Sequence, residues 1–313
     1  MRLAPFTLLL LAACSRQDSP SPASIVTTPA QPAVQLQADS GFGQKLSAGG
    51  PVISLIVDDL GEQHDVGQRA LKLPGQIAYA FLPGTPYVAR EAETAYRSGR
   101  EVLLHLPMEH PGGKLYSLGL SQNTPRDELI RRFNAGLASV PHASGVNNHQ
   151  GSLLTERRET MIWLMHAIRA RGGLYFVDSR TSQKSVAYEV ARQMGLPAAR
   201  REVFLDTVRE PGAIRRAWQL TLAIARKHGA ALAIGHPYPE TLAMLEAELP
   251  RLKARGVRLV APSELIRLRG NDQPRMPGPL KITPTLMLAT RTTDRSSPMS
   301  TTAAAANTRA SQP

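Results

Sequence analysis

The sequence predicts an α/β fold built on a mainly parallel β-sheet. Short apolar runs of strand length alternate with longer amphipathic segments of helical period over residues 51–268. Several of these runs end at an acid or a histidine, as the run 51–57 does at Asp58 and Asp59. Because the carboxyl ends of parallel strands lie at one edge of a sheet, we expect these polar residues to share one site.

The order of the elements follows from the same patterns. The first strand, 51–57, is apolar and β-branched, and a helix at 62–73 follows it. A Pro83-Gly84 break separates a strand at 77–82 from a helix at 86–96. The later predicted elements are a strand at 101–105, a helix from 125 to 137, a β-like segment at 145–149, a helix at 155–171, a strand at 174–177, a helix at 185–194, a strand at 202–205, a helix at 211–228, a strand at 231–234, a helix at 239–255, a strand at 257–260 and a short helix from 263.

One connection is unusually long. Residues 105–124 are rich in proline and glycine and show no regular period. A loop of this length inside a compact domain usually forms or covers a functional site. We therefore expect it to border the edge of the sheet that carries the polar residues.

The two ends of the chain predict separate segments. Residues 1–14 have the pattern of a secretory signal, with Arg2 before a short apolar run and small residues at its end. Residues 15–50 are rich in Pro, Ser, Ala, Gln and Thr, which is typical of a flexible tether, and 269–313 have a similar composition and predict a disordered tail. The folded part is therefore a single domain at 51–268.

Cys14 is the single cysteine of the 313-residue chain, which excludes an intrachain disulfide. Ala12-Ala13-Cys14 resembles the bacterial lipobox, in which the cysteine is acylated and becomes the first residue of the mature protein. This resemblance implies a lipoprotein on the periplasmic side of the envelope, anchored in the membrane through Cys14, and Ser15 favours the outer membrane. A plain secretory signal with an incidental cysteine is the alternative.

The net charge of +12 raises the question of a nucleic-acid partner. The arginines are scattered over predicted helices, as at 131–132 and 215–216, where solvated faces are expected. We predict no nucleic-acid binding. Attraction to anionic envelope polymers or lipid head groups is the preferred use of this charge.

The polar residues at the strand ends form the chemical signal of the sequence. Carboxylates and imidazoles from separate strands suit zinc or a similar divalent ion, and three protein ligands leave a coordination position for water. Such a metal lowers the pKa of water and polarises a carbonyl oxygen, while a carboxylate accepts a proton and an imidazole donates one to the leaving group. A hydrolytic site is therefore expected among Asp58, Asp59, His105, His149, Asp178 and His236.

Five sequence blocks stand out along the folded part, namely IVDDLG at 56–61, HLPME at 105–109, GVNNHQGS at 145–152, FVDSRT at 176–181 and IGHP at 234–237. In this order, they resemble the divergent polysaccharide deacetylase family, within the NodB-type carbohydrate esterase superfamily. The resemblance spans the folded part and implies a distorted (β/α)7-type barrel that removes N-acetyl groups from an envelope polysaccharide such as peptidoglycan.

The resemblance also implies residue roles. Asp59, His105 and His149 are the metal ligands, with zinc as the expected ion, while Asp58 is the base and His236 the acid. The chain lacks the two histidines four residues apart that ordinary members of the wider group use, so Glu109 is an alternative to His105. The residues expected to support this set are Asp178, Arg180, Glu109 and Asn148.

The missing histidine pair keeps a second function open. A non-catalytic envelope protein that retains the fold to bind a glycan or a protein partner is the alternative to the hydrolase. A sugar-phosphate enzyme is a third interpretation, but Gly112-Gly113-Lys114 lacks the remaining residues of a phosphate loop.

Overall fold

The computed structural model of the protein describes residues 49–113 and 115–271. The predicted signal with Cys14, most of the predicted tether and most of the predicted tail lie outside these residues. The strands are β1 (Val52–Leu60), β2 (Ala78–Phe81), β3 (Val102–Met108), β4 (Ala143–Gln150), β5 (Tyr175–Asp178), β6 (Ala198–Arg200), β7 (Val203–Phe204), β8 (Ala230–Gly235) and β9 (Arg258–Leu259). The α-helices are α1 (His64–Leu71), α2 (Val88–Arg97), α3 (Arg126–Ser139), α4 (Arg158–Arg171), α5 (Ala187–Gln193), α6 (Pro211–His228), α7 (Pro239–Glu248) and α8 (Pro262–Asn271).

The strands form one parallel sheet in the order β6-β5-β4-β3-β2-β1-β8-β7. β9 pairs with Val52 and Ile53 at the start of β1, whereas β2 pairs with β1 from Ile56 onward. Between β6 and β7 no pairing is found in the described chain, so the curled sheet stays open there. This arrangement confirms the predicted distorted (β/α) barrel.

Two apolar layers cover the faces of this sheet. Ile53, Leu55 and Val57 of β1 face the surrounding helices, and the alternate residues Val52 and Ile56 face the inside of the curled sheet. Small residues on other strands and side chains of α8 complete the inner layer. Its members include Ala78, Ala80, Leu103, Val177, Ala199, Leu232, Leu265 and Ile266. The interior is therefore filled below the site, and polar groups collect at the carboxyl ends of the strands.

Two strands run further than their apolar patterns predict. β1 includes Asp58 and Asp59, and β3 continues past His105 to Met108. The ladder between β3 and β4 continues through His105 with Asn147 and Pro107 with His149. Polar side chains at the mouth of the barrel do not interrupt the backbone pairing of the strands. The end of an apolar run is therefore a poor marker of the end of a strand.

Other boundaries differ for local reasons. The three residues of β6 were not predicted, because so short a segment carries no period. The helix predicted to reach residue 255 ends at Glu248 and continues as short 3₁₀ turns, since Pro250 has no N–H for the helical ladder. α8 ends at Asn271, three residues beyond the predicted domain boundary. Over the described residues, the helices are too short or too polar to cross a bilayer.

Candidate active site

The end of β1 forms a tight, irregular turn. The pairing register between β1 and β2 shifts between Val57 and Leu60, and Asp59 adopts a left-handed backbone conformation with φ 58°. Gly61 follows with φ 101°, and a Cβ atom there would overlap the side chain of Thr85. Backbone hydrogen bonds from Leu82 to Leu60 (3.0 Å) and from Tyr87 to Gly61 (2.9 Å) secure this turn. Asp58 and Asp59 are thereby fixed at the mouth of the barrel.

Asp59, His105 and His149 lie together at this mouth. The Oδ1 atom of Asp59 is 3.1 Å from Nε2 of His105 and 2.9 Å from Nδ1 of His149. The two imidazole nitrogens are 3.2 Å apart. The structure therefore brings the three predicted metal ligands into one triangle, which is the group found among the described residues that could hold a metal ion.

The triangle fits a divalent cation. Ligand atoms placed 2.0–2.1 Å from zinc at tetrahedral angles lie roughly 3.3 Å from one another. This value is close to the three distances between the ligand atoms of Asp59, His105 and His149. Nδ1 of His105 donates a hydrogen bond to Oδ1 of Asn147 at 2.8 Å, which leaves Nε2 of His105 directed at the site. Two imidazole nitrogens at this separation need a proton or a cation between them. The donor set is therefore suited to a metal ion, with one oxygen and two nitrogen ligands.

Charge at the triangle is governed by burial and by the close carboxylates. Burial alone would raise the pKa of Asp59, but hydrogen bonds from His105 and His149 outweigh it and hold the pKa of this carboxyl below its ordinary range. Burial also opposes the charged form of His105, yet Asp58 and Asp59 together raise the pKa of its imidazole. The surroundings therefore favour an ionised Asp59 carboxylate and a protonated His105 imidazole.

Asp58 lies behind the triangle and is 1% exposed. Its Oδ1 atom accepts a hydrogen bond from Nδ2 of Asn147 at 2.8 Å, and its Oδ2 atom is 3.6 Å from Nε2 of His105. Burial raises the pKa of Asp58 above its ordinary value, against the opposing effect of His105 and His236. A buried carboxyl with a raised pKa beside three candidate metal ligands is suited to accept a proton.

His236 directly follows β8 and faces the triangle from another side. Its Nδ1 atom contacts Oδ1 of Asp206 at 2.8 Å, and its Nε2 atom lies 3.8 Å from Oδ2 of Asp59. Asp206 also accepts hydrogen bonds from the backbone N–H of His236 (2.6 Å) and from the hydroxyl of Thr241 (2.8 Å). Burial works to lower the pKa of His236, but Asp206 outweighs it and raises that pKa to about 9. His236 is thus poised to donate a proton from Nε2.

The residues predicted to support the site mainly organise the loops around it. Oδ1 of Asn148 accepts the backbone N–H of Ser179 at 2.8 Å, which joins the ends of β4 and β5. The carboxylate of Asp178 accepts hydrogen bonds from the backbone N–H of Arg180 (2.8 Å) and from the hydroxyl of Ser185 (2.7 Å). Arg180 has a left-handed backbone with φ 50°.

Glu109, the alternative metal ligand, has a different position. Its carboxylate accepts the backbone N–H of Gln122 at 2.7 Å within the long loop. It is not one of the three residues that converge within the described part of the chain. The structure therefore places His105, and not Glu109, beside Asp59 and His149.

Two important side chains were missed by the sequence analysis. Asn147 lies between Asp58 and His105 and contacts both, and the two-residue period of β4 places it on the same face as His149. Asp206 follows the short strand β7 just as Asp178 ends β5. The same rule about polar residues at strand ends would have identified Asp206.

Comparisons with known proteins identify the family of the chain. The sequence model of the divergent polysaccharide deacetylase family matches residues 55–266. An uncharacterized protein of Haemophilus influenzae is 35% identical over 201 residues, which are 64% of this chain and 71% of that protein. The uncharacterized protein YibQ of Escherichia coli K12 is 34% identical over 234 residues, or 72% of each chain.

A solved structure shows the same fold. The crystal structure of an uncharacterized protein from Agrobacterium tumefaciens C58 has a TM-score of 0.67 and 26% sequence identity, and the match covers 72% of this chain and 93% of that one. The family match covers more than half of the chain and includes all five blocks that carry the resemblance. The chain therefore belongs to the divergent polysaccharide deacetylase family.

Proposed function

We propose that the protein is a metal-dependent hydrolase that removes N-acetyl groups from an envelope polysaccharide such as peptidoglycan. The observation that carries the proposal is the placement of a proton acceptor and a proton donor around one group of metal ligands. Asp58 lies 3.6 Å from His105, and His236 lies 3.8 Å from Asp59. Hydrolysis of an amide needs both functions, one for the attacking water and one for the leaving amine.

Each residue has a defined task in this proposal. Asp59, His105 and His149 hold a divalent ion, and zinc suits their nitrogen and oxygen atoms. When bound, this ion polarises the acetyl carbonyl and lowers the pKa of water. Asp58 accepts the proton of the attacking water while Asn147 fixes the orientation of its carboxylate. His236, held by Asp206, gives a proton to the departing amine.

The direct test is acetate release by the zinc-loaded full-length protein. Chitooligosaccharides and peptidoglycan are incubated with the wild type, Asp58→Asn and the control Asp127→Asn, which changes an exposed acid on α3. We expect acetate from the wild type and the control, and none from Asp58→Asn at unchanged zinc content. Asp58→Asn with wild-type activity would contradict the assigned base. Glycan binding by the wild type without acetate release would support the non-catalytic alternative.

The proposal includes a location on the periplasmic side of the envelope, with a lipid anchor at Cys14. It is supported by the lipobox-like Ala12-Ala13-Cys14 and by the polar segment that follows. Labelled fatty acid should be incorporated into the wild type, and Cys14→Ala should appear in the soluble fraction. A wild type that takes up no label, with Cys14→Ala still bound to the membrane, would refute the anchor.

A further inference from the structure

Five planar groups form a continuous column beside the candidate active site. The guanidinium of Arg201 lies 4.0 Å from the centre of the Phe204 ring, and this ring stacks on His236 with centres 5.5 Å apart and planes at 11°. The Tyr238 ring lies 5.3 Å from His236. The guanidinium of Arg209 lies 3.8 Å from the centre of the Tyr238 ring and ends the column.

The two arginines of the column differ in their surroundings. Arg201 is largely buried, and its guanidinium donates hydrogen bonds to the carbonyls of Ser179 (2.6 Å) and Arg180 (2.8 Å). Burial lowers the pKa of Arg201 to about 10. Two of its three guanidinium nitrogens are engaged by the backbone, so it closes the inner end of the column and has a structural role.

Arg209 is held in place by two contacts that use none of its N–H groups as hydrogen-bond donors. Its side chain is 55% exposed, and its guanidinium forms a salt bridge with Glu240 at 3.8 Å, which is beyond hydrogen-bond distance. The Tyr238 ring lies against the face of the guanidinium, whereas the N–H groups lie in the guanidinium plane. A planar cation in this state is suited to a carboxylate.

A second partly exposed ring borders the site at His149. The Tyr116 ring meets His149 edge-on with centres 5.1 Å apart, and Tyr116 is 41% exposed. This ring offers an apolar surface, so in this part of the proposal the contact with an anion comes from Arg209 alone.

We propose that Arg209 forms an anion subsite for a carboxylate carried by the sugar next to the one that reacts. The inference rests on the proposed function, because it assumes a glycan at the mouth of the barrel. In the column, the Tyr238 ring lies between Arg209 and His236. A carboxylate bound by Arg209 therefore belongs to a neighbouring sugar and not to the sugar whose acetyl group reacts. The ligand class is an N-acetylated glycan with a uronic acid or a lactyl ether.

The test measures glycan binding without turnover. The zinc-loaded Asp58→Asn protein is titrated with a hyaluronan tetrasaccharide, with a tetrasaccharide that alternates N-acetylglucosamine and N-acetylmuramic acid, and with neutral chitotetraose. Amidated forms of the two acidic glycans keep their size but remove the charge. We expect the acidic glycans to bind more tightly than chitotetraose or the amidated forms, and comparison of the two acidic glycans distinguishes the source of the carboxylate.

Variants of Arg209 then separate charge from shape. In the Asp58→Asn background, Arg209→Gln should weaken binding of the preferred acidic glycan about tenfold, as expected for one charge-assisted contact, and leave chitotetraose unchanged. Arg209→Lys should recover part of the loss. Arg251→Gln is the matched control, since Arg251 is an exposed arginine paired with Glu248 away from the column.

Several results would overturn the subsite. These are equal affinity for acidic and neutral glycans, an Arg209→Gln protein that binds acidic glycans as well as its parent, or no binding of any glycan. Acetate release by the wild type is measured separately. Release without an effect of Arg209→Gln refutes the subsite and leaves the hydrolase intact. Binding that depends on Arg209 without acetate release supports the subsite and refutes the hydrolase.

Discussion

Two regions of the molecule bury carboxyl groups in different ways. At the mouth of the barrel, Asp58 accepts a hydrogen bond from Asn147, and Asp206 accepts hydrogen bonds from His236 and Thr241. Between α1 and α2, Glu91 is fully buried, yet neither of its carboxyl oxygens has a hydrogen-bond partner among the described residues. The mouth of the barrel therefore supplies hydrogen-bond donors to each buried carboxyl group. The space between α1 and α2 buries the Glu91 carboxyl group without them.

The surroundings of Glu91 explain its different state. Its carboxyl packs against Gly67 of α1, and Nδ1 of His64 is 3.8 Å away. Burial raises the pKa of Glu91 to about 7, against small opposing effects of Gly61 and Arg90. Burial alone therefore does not identify an active site. Hydrogen-bond donors that orient a buried acid are the better marker of the site, and they are present at the mouth.

The largest expected effect comes from removing a metal ligand. Asp59→Ala should reduce bound zinc from about one ion to none and lower acetate release by roughly a thousandfold or more, because a metal contributes several kcal/mol to such reactions. Metal content is measured by mass spectrometry after dialysis, with Asp127→Asn as the control. Unchanged zinc in Asp59→Ala would show that the triangle is not the metal site.

A smaller effect is expected when the partner of the acid is changed. Asp206→Asn removes the negative charge beside His236 and should lower the turnover number by roughly a hundredfold, the lower part of the range for general acid catalysis. Bound zinc should stay at the wild-type level, which separates this variant from Asp59→Ala. A normal turnover number would show that the contact with Asp206 only supports the fold.

The contrasting region predicts a pH effect on stability. The folded pKa of Glu91 is about 7, above its ordinary value of 4.5, so the folded state binds more protons between these values. Stability should therefore fall as pH rises from about 4.5 to 7, by up to about 3 kcal/mol from this group. Glu91→Gln stays neutral at every pH and should be more stable than the wild type at pH 8.

Urea unfolding at pH 5 and pH 8 measures this difference. The control is Glu159→Gln, which changes an exposed acid at the start of α4 and should follow the wild type. Parallel pH dependence in the wild type and Glu91→Gln would mean that Glu91 does not titrate in this window.

The smallest effect is expected at an exposed ion pair. Arg69 of α1 donates two hydrogen bonds, of 2.8 and 2.9 Å, to Glu246 of α7. Because both side chains are about two-fifths exposed, Glu246→Gln should lower the free energy of unfolding by only about 0.5 kcal/mol. Urea unfolding at two salt concentrations checks this value. A cost of several kcal/mol would show that solvent screening is weaker here than the exposure indicates.

The sequence predicted the alternation of elements and the convergence at the mouth because both depend on simple periods. Parallel strands bring their carboxyl ends together whatever the conformations of the loops, which is why Asp59, His105 and His149 were among the polar residues expected to share one site. Their selection as metal ligands came from the family resemblance. Asn147 was missed because a polar residue inside a strand has the composition of a turn. Glu91 gave no signal, since a glutamate in the first turn of a helix is usually exposed.

The column from Arg201 to Arg209 was beyond prediction for another reason. Its members come from β7, from the segments that border it and from the segment after β8, and their ring contacts depend on the conformations of irregular connections. Such segments carry no period that would indicate the direction of a side chain. The position of Tyr116 in the long loop is a similar case.

The left-handed residues around the mouth have a consequence for engineering. Asp59, Gln150 and Arg180 have φ of 58°, 54° and 50°, and each lies at or just after the end of a strand that borders the site. Glycine adopts this conformation without steric cost, so Gln150→Gly or Arg180→Gly is an accessible route to a more heat-tolerant protein. The same substitutions make the backbone next to His149 and Ser179 more flexible. Variants selected at these positions for thermal tolerance are therefore expected to have a lower turnover number.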